Sequence, residues 1–366
     1  MRAKIYLSKP DLEEVLDTVS FNENSVLNFE VALEKYIGFN KKVVALNSGT
    51  AAIHLALILA GVQKEDVVIC QSFTFVATAN PILYQGAKPI FIDSENDTWS
   101  MCPLLLEQAI KNCISQRKKP KAIVINSNYG MPSKIEAIVS IAKFYDIKLI
   151  EDAASALGST YKKQKCGTFG DFGIISFNEN KILTTFGGGV LICKSEEEKN
   201  SAIYLATQAK EEYTYYQHSE IGYNYRMSKL SASVGLSELK NIEKYIFCRR
   251  QIHLFYSELF KNIEGITLHK EPNQDYFSNH WFTCVLINEE LVRFSCENLR
   301  LQLLKDNIES RQLWKPMHLQ PVFRGCSYYG ESVSENLFEK GLCLPSGSNL
   351  TDYDKERIKG SVNKLL

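Results

Sequence analysis

The stretch Val43-Val-Ala-Leu-Asn-Ser-Gly-Thr-Ala-Ala-Ile-His-Leu-Ala-Leu-Ile-Leu-Ala-Gly61 decides the fold of this chain. Its first part, Val43 to Ser48, is a short apolar run of strand character. From Gly49 to Gly61 the apolar residues run on too long for a strand and stop at a glycine, which reads as a largely buried helix. The same pairing recurs: 67–70 precedes 74–86, 89–93 precedes 104–114, 122–126 precedes 135–145, and 148–152 ends in two carboxylates. Short apolar strands alternating with helices predict an α/β fold whose mostly parallel sheet is covered on both faces by helices. Ligands in such sheets sit at the carboxyl ends of the strands. Ser48 to Thr50, Phe73 to Phe75, Asp93 and Asp152 all fall there.

The small residues Ser48, Gly49 and Thr50 open a helix, where free N–H groups and the positive end of the dipole suit a phosphate. Many α/β turns enter a helix on small residues without a ligand, so this turn alone leaves both readings open. His54, one turn further in, reads as a packed histidine. Asp152, followed by Ala153, Ala154 and Ser155, ends a buried strand, where a carboxylate needs a cation or hydrogen-bond donors. It would serve equally as a helix N-cap.

A second stretch, residues 171–190, sets Lys181 between the strand-like runs Ile174, Ile175, Phe177 and Val190, Leu191, Ile192, with Gly187 to Gly189 leaving room for backbone or ligand. In an apolar crevice desolvation disfavours the ammonium and frees an amine suited to a Schiff base. The other reading is a surface turn. Glycines at 167, 170 and 173 do not form the dinucleotide-binding pattern, which argues against a nicotinamide enzyme.

At 366 residues the chain exceeds a usual single core, and 45% hydrophobic content is ample for two. The expected division is a large domain over 1–245 and a smaller C-terminal α+β domain over 246–366, bridged by a long helix over 228–256. The 42 basic residues balance the 42 acidic ones, so there is no global electrostatic case for nucleic acid or an anionic membrane. The N-terminal residues lack a signal-like apolar core, and charged or polar residues interrupt every apolar run, so a cytoplasmic protein is expected. Ten cysteines without a C-x-x-C pair fit reduced, mostly buried thiols, with no metal site. Tyrosines at 213, 215, 216, 223 and 225 lead into Gly222-Tyr-Asn-Tyr-Arg226, a loop suited to an active site or a subunit interface, or simply well packed.

Eight motifs in one order resemble a known family. They are Asn47-Ser-Gly-Thr-Ala-Ala, Gln71-Ser-Phe-Thr-Phe-Val-Ala-Thr-Ala-Asn, Glu151-Asp-Ala-Ala, Gly167-x-x-Gly-Asp-x-Gly, Ser176-Phe-x-x-x-Lys181, Gly187-Gly-Gly, Gly222-x-Asn-x-Arg-Met and Pro316-x-His318. Together they are similar to the pyridoxal-phosphate (PLP) sugar aminotransferases of the DegT/DnrJ group, which have the aspartate aminotransferase-like fold type I. The resemblance implies that Lys181 holds PLP through a Schiff base and shuttles the proton, and that Asp152 pairs with the ring nitrogen. It also implies that Phe75 lies against the ring and that Gly49, Thr50 and Ser176 hold the phosphate. Asn224 would reach the phosphate of a neighbouring subunit, hence a homodimer with shared active sites. Ser155 and Ser127 stand where many members have Gln or His, and His, respectively, and both are expected to line the cofactor pocket.

The resemblance implies transfer of an amino group, from L-glutamate, to a nucleotide-linked keto sugar. Residues 310–321, 221–226 and 4–8 look most like the subgroup that aminates C4 of UDP-4-keto-6-deoxy-N-acetylhexosamines for bacterial surface glycans. Arg311, Lys315 and His318 would contact the sugar nucleotide, since a guanidinium and an ammonium suit a diphosphate. Solvent-facing charge is the alternative for each. Two other readings are carried: a C3 aminotransferase acting on a dTDP- or GDP-linked sugar, and a non-catalytic PLP-fold binding or regulatory protein, against which the presence of Lys181, Asp152 and Ser176 argues.

Overall fold

A computed structural model describes residues 3–10, 19, 21–38 and 40–366. Met1 and Arg2, the start of the N-terminal stretch read above, lie outside the described residues. The strands are β1 (Lys42–Leu46), β2 (Val67–Gln71), β3 (Lys88–Ile92), β4 (Ala122–Asn126), β5 (Lys148–Asp152), β6 (Thr160–Tyr161), β7 (Gln164–Lys165), β8 (Phe172–Ser176), β9 (Gly189–Cys193), β10 (Ile266–Leu268), β11 (Tyr276–Phe277), β12 (Thr283–Ile287), β13 (Arg311–Gln312), β14 (Ser327–Tyr329) and β15 (Gly341–Leu344).

Eight of them form one sheet in the order β1-β9-β8-β5-β4-β2-β3-β14. Only β9 runs against its neighbours, so the sheet is mostly parallel, as the strand–helix alternation predicts. The period of two sorts the side chains by face. Val44 and Leu46 point into a core with the helices Gly49–Leu59, Val76–Tyr84 and Glu196–Ala206. Val43 and Ala45 point the other way, towards the helices Ser25–Ile37 and Lys229–Leu239. Further along, Ile69, Ile123, Ile125 and Leu149 meet the helices Pro103–Ser115 and Ile135–Phe144 on that second face. Both faces are therefore dry, which is why these strands read as continuous apolar runs.

A four-stranded antiparallel sheet, β10-β12-β15-β13, packs its own core against the helices Ile242–Phe260, Cys296–Lys305 and Asp352–Val362. A small sheet, β11-β6-β7, lies apart from it. The bridging helix expected over 228–256 is two helices, Lys229–Leu239 and Ile242–Phe260, because Asn241 leaves helical geometry at φ −101°, ψ 2°. The apolar periodicity continues across that break, so the pattern alone hides it.

Two connections were not expected from the sequence. β14, from late in the chain, pairs in parallel with β3 and extends the large sheet. Near the N-terminus, Ile5 bridges to Ile308, and Leu7 O accepts from Ser346 N at 2.9 Å, so residues 5–7 lie beside the late segments. Among the described residues no helix is long and apolar enough to cross a membrane. Nor is there a group of three or more His, Cys, Asp or Glu side chains able to hold a metal ion.

Candidate active site

The carboxyl ends of β1, β5 and β8 open into a cavity of about 530 Å³. Gly49, Thr50, Phe75, Asp152, Ser155, Ser176, Lys181 and Arg311 all line it. Residues taken from distant parts of the sequence are thus brought together by the sheet order.

One end is a helix entry. Ser48 is extended (φ −164°, ψ 159°), and its hydroxyl accepts from Ala51 N at 3.0 Å. This caps the third helical N–H, while those of Gly49 and Thr50, in the first helical turn, have no intrahelical partner. Ser176, at the end of β8, packs directly on this entry. A Cβ placed on Gly49 would lie 3.1 Å from Ser176 Cβ, closer than most real contacts. The backbone N–H groups and the Ser176 hydroxyl therefore make a cradle for an anion, and a side chain at position 49 would crowd it.

At the other side stands Asp152, the last residue of β5 and 2% exposed. Its Oδ2 accepts from Thr78 Oγ1 at 2.6 Å and its Oδ1 from Ala154 N at 3.0 Å. Thr78 is itself 2.7 Å from Thr74 Oγ1. Because the Thr78 proton goes to Asp152, Thr74 donates to Thr78, and a relay of two hydroxyls holds the carboxylate as an acceptor. No helix begins directly after Asp152, so the N-cap reading does not hold; its contact with Ala154 N closes a turn, and the carboxylate faces the cavity.

Lys181 reaches in from the loop after β8. Its Nζ is 3.2 Å from Ser155 Oγ and 3.8 Å from the centroid of the Trp281 ring. Desolvation lowers its amine from the ordinary 10.5 to about 8, against the upward pull of the Asp152 carboxylate. About a tenth of the amine is thus unprotonated at pH 7, far more than for an ordinary lysine, which favours its use as a nucleophile.

The wall opposite is aromatic. Phe75, 55% exposed, begins the helix Val76–Tyr84. Trp314 stacks on Tyr129 with centroids 4.3 Å apart, and its backbone N donates to the Tyr129 hydroxyl at 2.9 Å. Tyr129 holds a left-handed backbone at φ 53°, in the turn after β4. At the mouth Arg311 pairs with Glu309 at 3.0 Å.

Three residues expected here do not line this cavity, and neither does Asn224, which is expected at a neighbouring subunit's phosphate. His318 is committed elsewhere. Its ring stacks on Tyr328 at 3.7 Å, Nδ1 meets Ser72 Oγ at 2.7 Å and Nε2 meets Glu335 Oε1 at 3.2 Å. Lys315 is exposed outside the cavity, and Ser127 lies buried behind it, its N–H donating to Asp152 O at 3.1 Å. Asn224 is exposed, its backbone O taking a 3.1 Å hydrogen bond from the side chain of Asn47, which lines the cavity.

Several lining residues were not singled out from the sequence. Thr78 lay inside a quoted motif, in the first turn of the helix Val76–Tyr84, with Thr74 just before the helix begins. Trp281 and Trp314 gave no such signal, since an aromatic residue beside an apolar run reads as core.

An anion cradle, a buried carboxylate, an amine of lowered basicity and an aromatic wall fit the phosphate, ring nitrogen, aldehyde carbon and ring face of PLP. The family profile for the DegT/DnrJ/EryC1/StrS aminotransferase family matches residues 8–363. EpsN of Bacillus subtilis (strain 168), whose name describes a pyridoxal phosphate-dependent aminotransferase, is 43% identical over 98% of this chain and 95% of its own length. GDP-perosamine synthase of Escherichia coli O157:H7 is 34% identical, with coverage of 98% and 95%. The UDP-4-amino-4,6-dideoxy-N-acetyl-β-L-altrosamine transaminase of Campylobacter jejuni (strain 81-176) is 30% identical, with coverage of 96% and 92%. Among solved structures, a DegT DnrJ EryC1 StrS aminotransferase from Brucella abortus superposes with a TM-score of 0.88 at 28% identity, covering 96% of this chain and 95% of that one.

Proposed function

We propose, from the premise that this chain belongs to the DegT/DnrJ/EryC1/StrS aminotransferase family, that it carries an amino group from L-glutamate to C4 of a UDP-linked 4-keto-6-deoxy-N-acetylhexosamine, for bacterial surface glycan synthesis. It is a PLP-dependent sugar aminotransferase of fold type I. The observation that carries the proposal is the convergence of Lys181, Asp152 and the Gly49–Ser176 cradle on one cavity.

Bound PLP supplies an electron sink for the carbon that gives or receives the amine. We assign the residues as follows. Gly49 and Thr50 N–H and Ser176 Oγ bind the phosphate, and Phe75 lies on the ring. Asp152, kept an acceptor by Thr78 and Ala154, holds a proton on the ring nitrogen, so the sink stays effective. Lys181 Nζ would hold the cofactor, and as a free amine it would serve as the base that carries a proton in the transfer. Ser155 lies beside that amine. Arg311, on the cavity lining, meets the diphosphate by a charge-assisted contact.

We also assign Asn224 to the neighbouring subunit's phosphate in a homodimer. Its loop carries Tyr215, Tyr216 and Ile221 exposed at 61%, 80% and 82%, a large apolar surface for a lone protomer. Lys315 and His318 fit this scheme less well. The first is exposed outside the cavity, and the second is saturated by Ser72, Glu335 and Tyr328. Residues 1–245 are assigned to the cofactor-binding domain and 246–366 to the smaller one.

The similarity to a GDP-perosamine synthase favours a second reading, in which the sugar is GDP-linked. One assay separates them: incubate the enzyme with glutamate and UDP-, dTDP- and GDP-linked 3- and 4-keto sugars, then locate the new amine by NMR. Amination of only a GDP-linked sugar, or at C3, overturns the leading assignment. Purified wild type that gains no visible absorption band from added PLP overturns the site assignment itself.

A further inference from the structure

The Lys181 amine is gripped by a set of contacts that the catalytic assignment does not require. The Trp281 ring lies 3.8 Å from Nζ at the tip of the side chain, while its indole Nε1 donates to Asn180 O, 2.8 Å away, at the residue just before the lysine. One ring thus spans the side chain from backbone to ammonium. Ser155 Oγ meets the same Nζ at 3.2 Å.

The two holders are tied to each other. Asn279, fully buried, accepts from Trp281 N through Oδ1 at 2.8 Å and donates through Nδ2 to Ser155 O at 3.0 Å and Leu157 O at 2.9 Å. The carbonyl of Trp281 is held in turn by the buried guanidinium of Arg249, whose other nitrogen donates to Ser8 Oγ at 3.0 Å. A lysine side chain left free loses much of its rotamer freedom when it is fixed. Here the fixing contacts all come from the protein's own residues.

We propose that Trp281, Ser155 and Asn279 form a holder that keeps the unbonded Lys181 amine at one station in the cavity: the indole face and the Ser155 hydroxyl grip it, and Asn279 locks the two grips together. Trp281 and Asn279 are positioning residues. The proposal rests on the reading of Lys181 as the cofactor's anchor. The holder matters twice, when apoenzyme captures PLP and whenever the donor amine has displaced the lysine, because the amine then waits at a fixed place. Asp152 is the charge that acts on the amine, and Arg311 and Glu309, at the mouth, neutralise each other.

The test follows capture of PLP by full-length apoenzyme, in which the Lys181 amine forms a C=N bond to the aldehyde carbon and one water leaves. Rates are read by absorbance from pH 6 to 10 for wild type, Trp281→Leu, Trp281→Phe and Ser155→Ala. Affinity for pyridoxamine phosphate, which cannot bond to the lysine, is measured in parallel. Trp281→Leu should lower the high-pH plateau about threefold to tenfold and move the pH midpoint down by about half a unit to one unit, because the ring face favours the ammonium. Trp281→Phe should fall between it and wild type. Ser155→Ala should lower the plateau, and the affinity of the two Trp281 variants for pyridoxamine phosphate should stay within about twofold.

An unchanged plateau in Trp281→Leu overturns the proposal. So does a midpoint that stays or moves up, since that marks the ring as mere cover against water. If Trp281→Leu does not fold by circular dichroism, Trp281→Phe is judged by the same two criteria. Failure of the underlying reading looks different: Lys181→Ala would still bond PLP.

Discussion

Thr78 Oγ1 donates to Asp152 Oδ2 across 2.6 Å, so a residue inside the first turn of one helix fixes the carboxylate at the end of a strand 74 positions later. Thr74, one turn earlier, completes the relay. The hydroxyls leave Asp152 no reason to turn away from the cavity and satisfy it in a site that is 2% exposed.

Thr78→Val keeps the shape of the side chain and removes this donor. A hydrogen bond to a charged group is worth about 1.5–3 kcal/mol, so turnover is expected to fall roughly tenfold to a hundredfold. Cofactor content by absorbance should stay near that of wild type. Steady-state kinetics with unchanged turnover would remove Thr78 from the mechanism.

Asp152→Asn is the sharper version. The fold and the phosphate cradle do not depend on the charge, so PLP should still bind. Turnover should drop by on the order of a hundredfold or more, since an amide cannot hold a proton on the ring nitrogen. Single-turnover measurement with glutamate checks this, and near-normal rates would refute the assigned role.

Arg311 and His318 were expected to act together, and the geometry separates them. Arg311→Ala removes a cation from the cavity lining and should raise KM for the sugar nucleotide by about tenfold, with a smaller change in kcat. His318→Ala breaks contacts to Ser72 and Glu335 and the stack on Tyr328, all remote from the cavity. Its expected effect is a loss of about 1–3 kcal/mol of stability in denaturant titration, with KM nearly unchanged.

Acid should destabilise the fold through three buried histidines. His253 and His280 stack at 3.8 Å, and His269 stacks on Trp99 at 3.8 Å. Burial pushes His253 from 6.5 to about 4, helped by Arg250 and opposed by Glu271. It pushes His269 to about 3 and His280 well below its ordinary value. The unfolded chain protonates them near 6.5 and the folded one does not, so unfolding takes up protons below that pH. Stability is therefore constant from these groups above pH 6.5 and falls as pH drops towards 4. His253→Phe should lose about one proton from that uptake, seen as a shallower drop in urea midpoint between pH 7 and 5.

Much of the molecule was legible in the chain itself. Continuous apolar strands followed by helices can be buried only on both faces, so residues 43–61 and their repeats gave the mostly parallel sheet. Gly49, Thr50 and Asp152 could be named because strand ends mark where a ligand sits in such a sheet, Lys181 because it stands between two apolar runs, and Phe75, Ser155, Ser176 and Arg311 through the family resemblance; all line the cavity. The break at Asn241 was not legible, because apolar spacing runs through it. Nor was the pairing of β14 with β3, since a three-residue strand carries too little pattern to name a partner more than 230 residues away.

The sequence by itself determined the sheet and the family, because each rests on local pattern or on residues held in a fixed order. The tertiary structure alone decided which side chains stand around those residues. Trp281, Thr78 and Trp314 approach the cavity from separate elements, and His318 is turned away from it by partners in two other segments. Those outcomes depend on packing between elements distant in the chain, a three-dimensional contact that no local periodicity encodes.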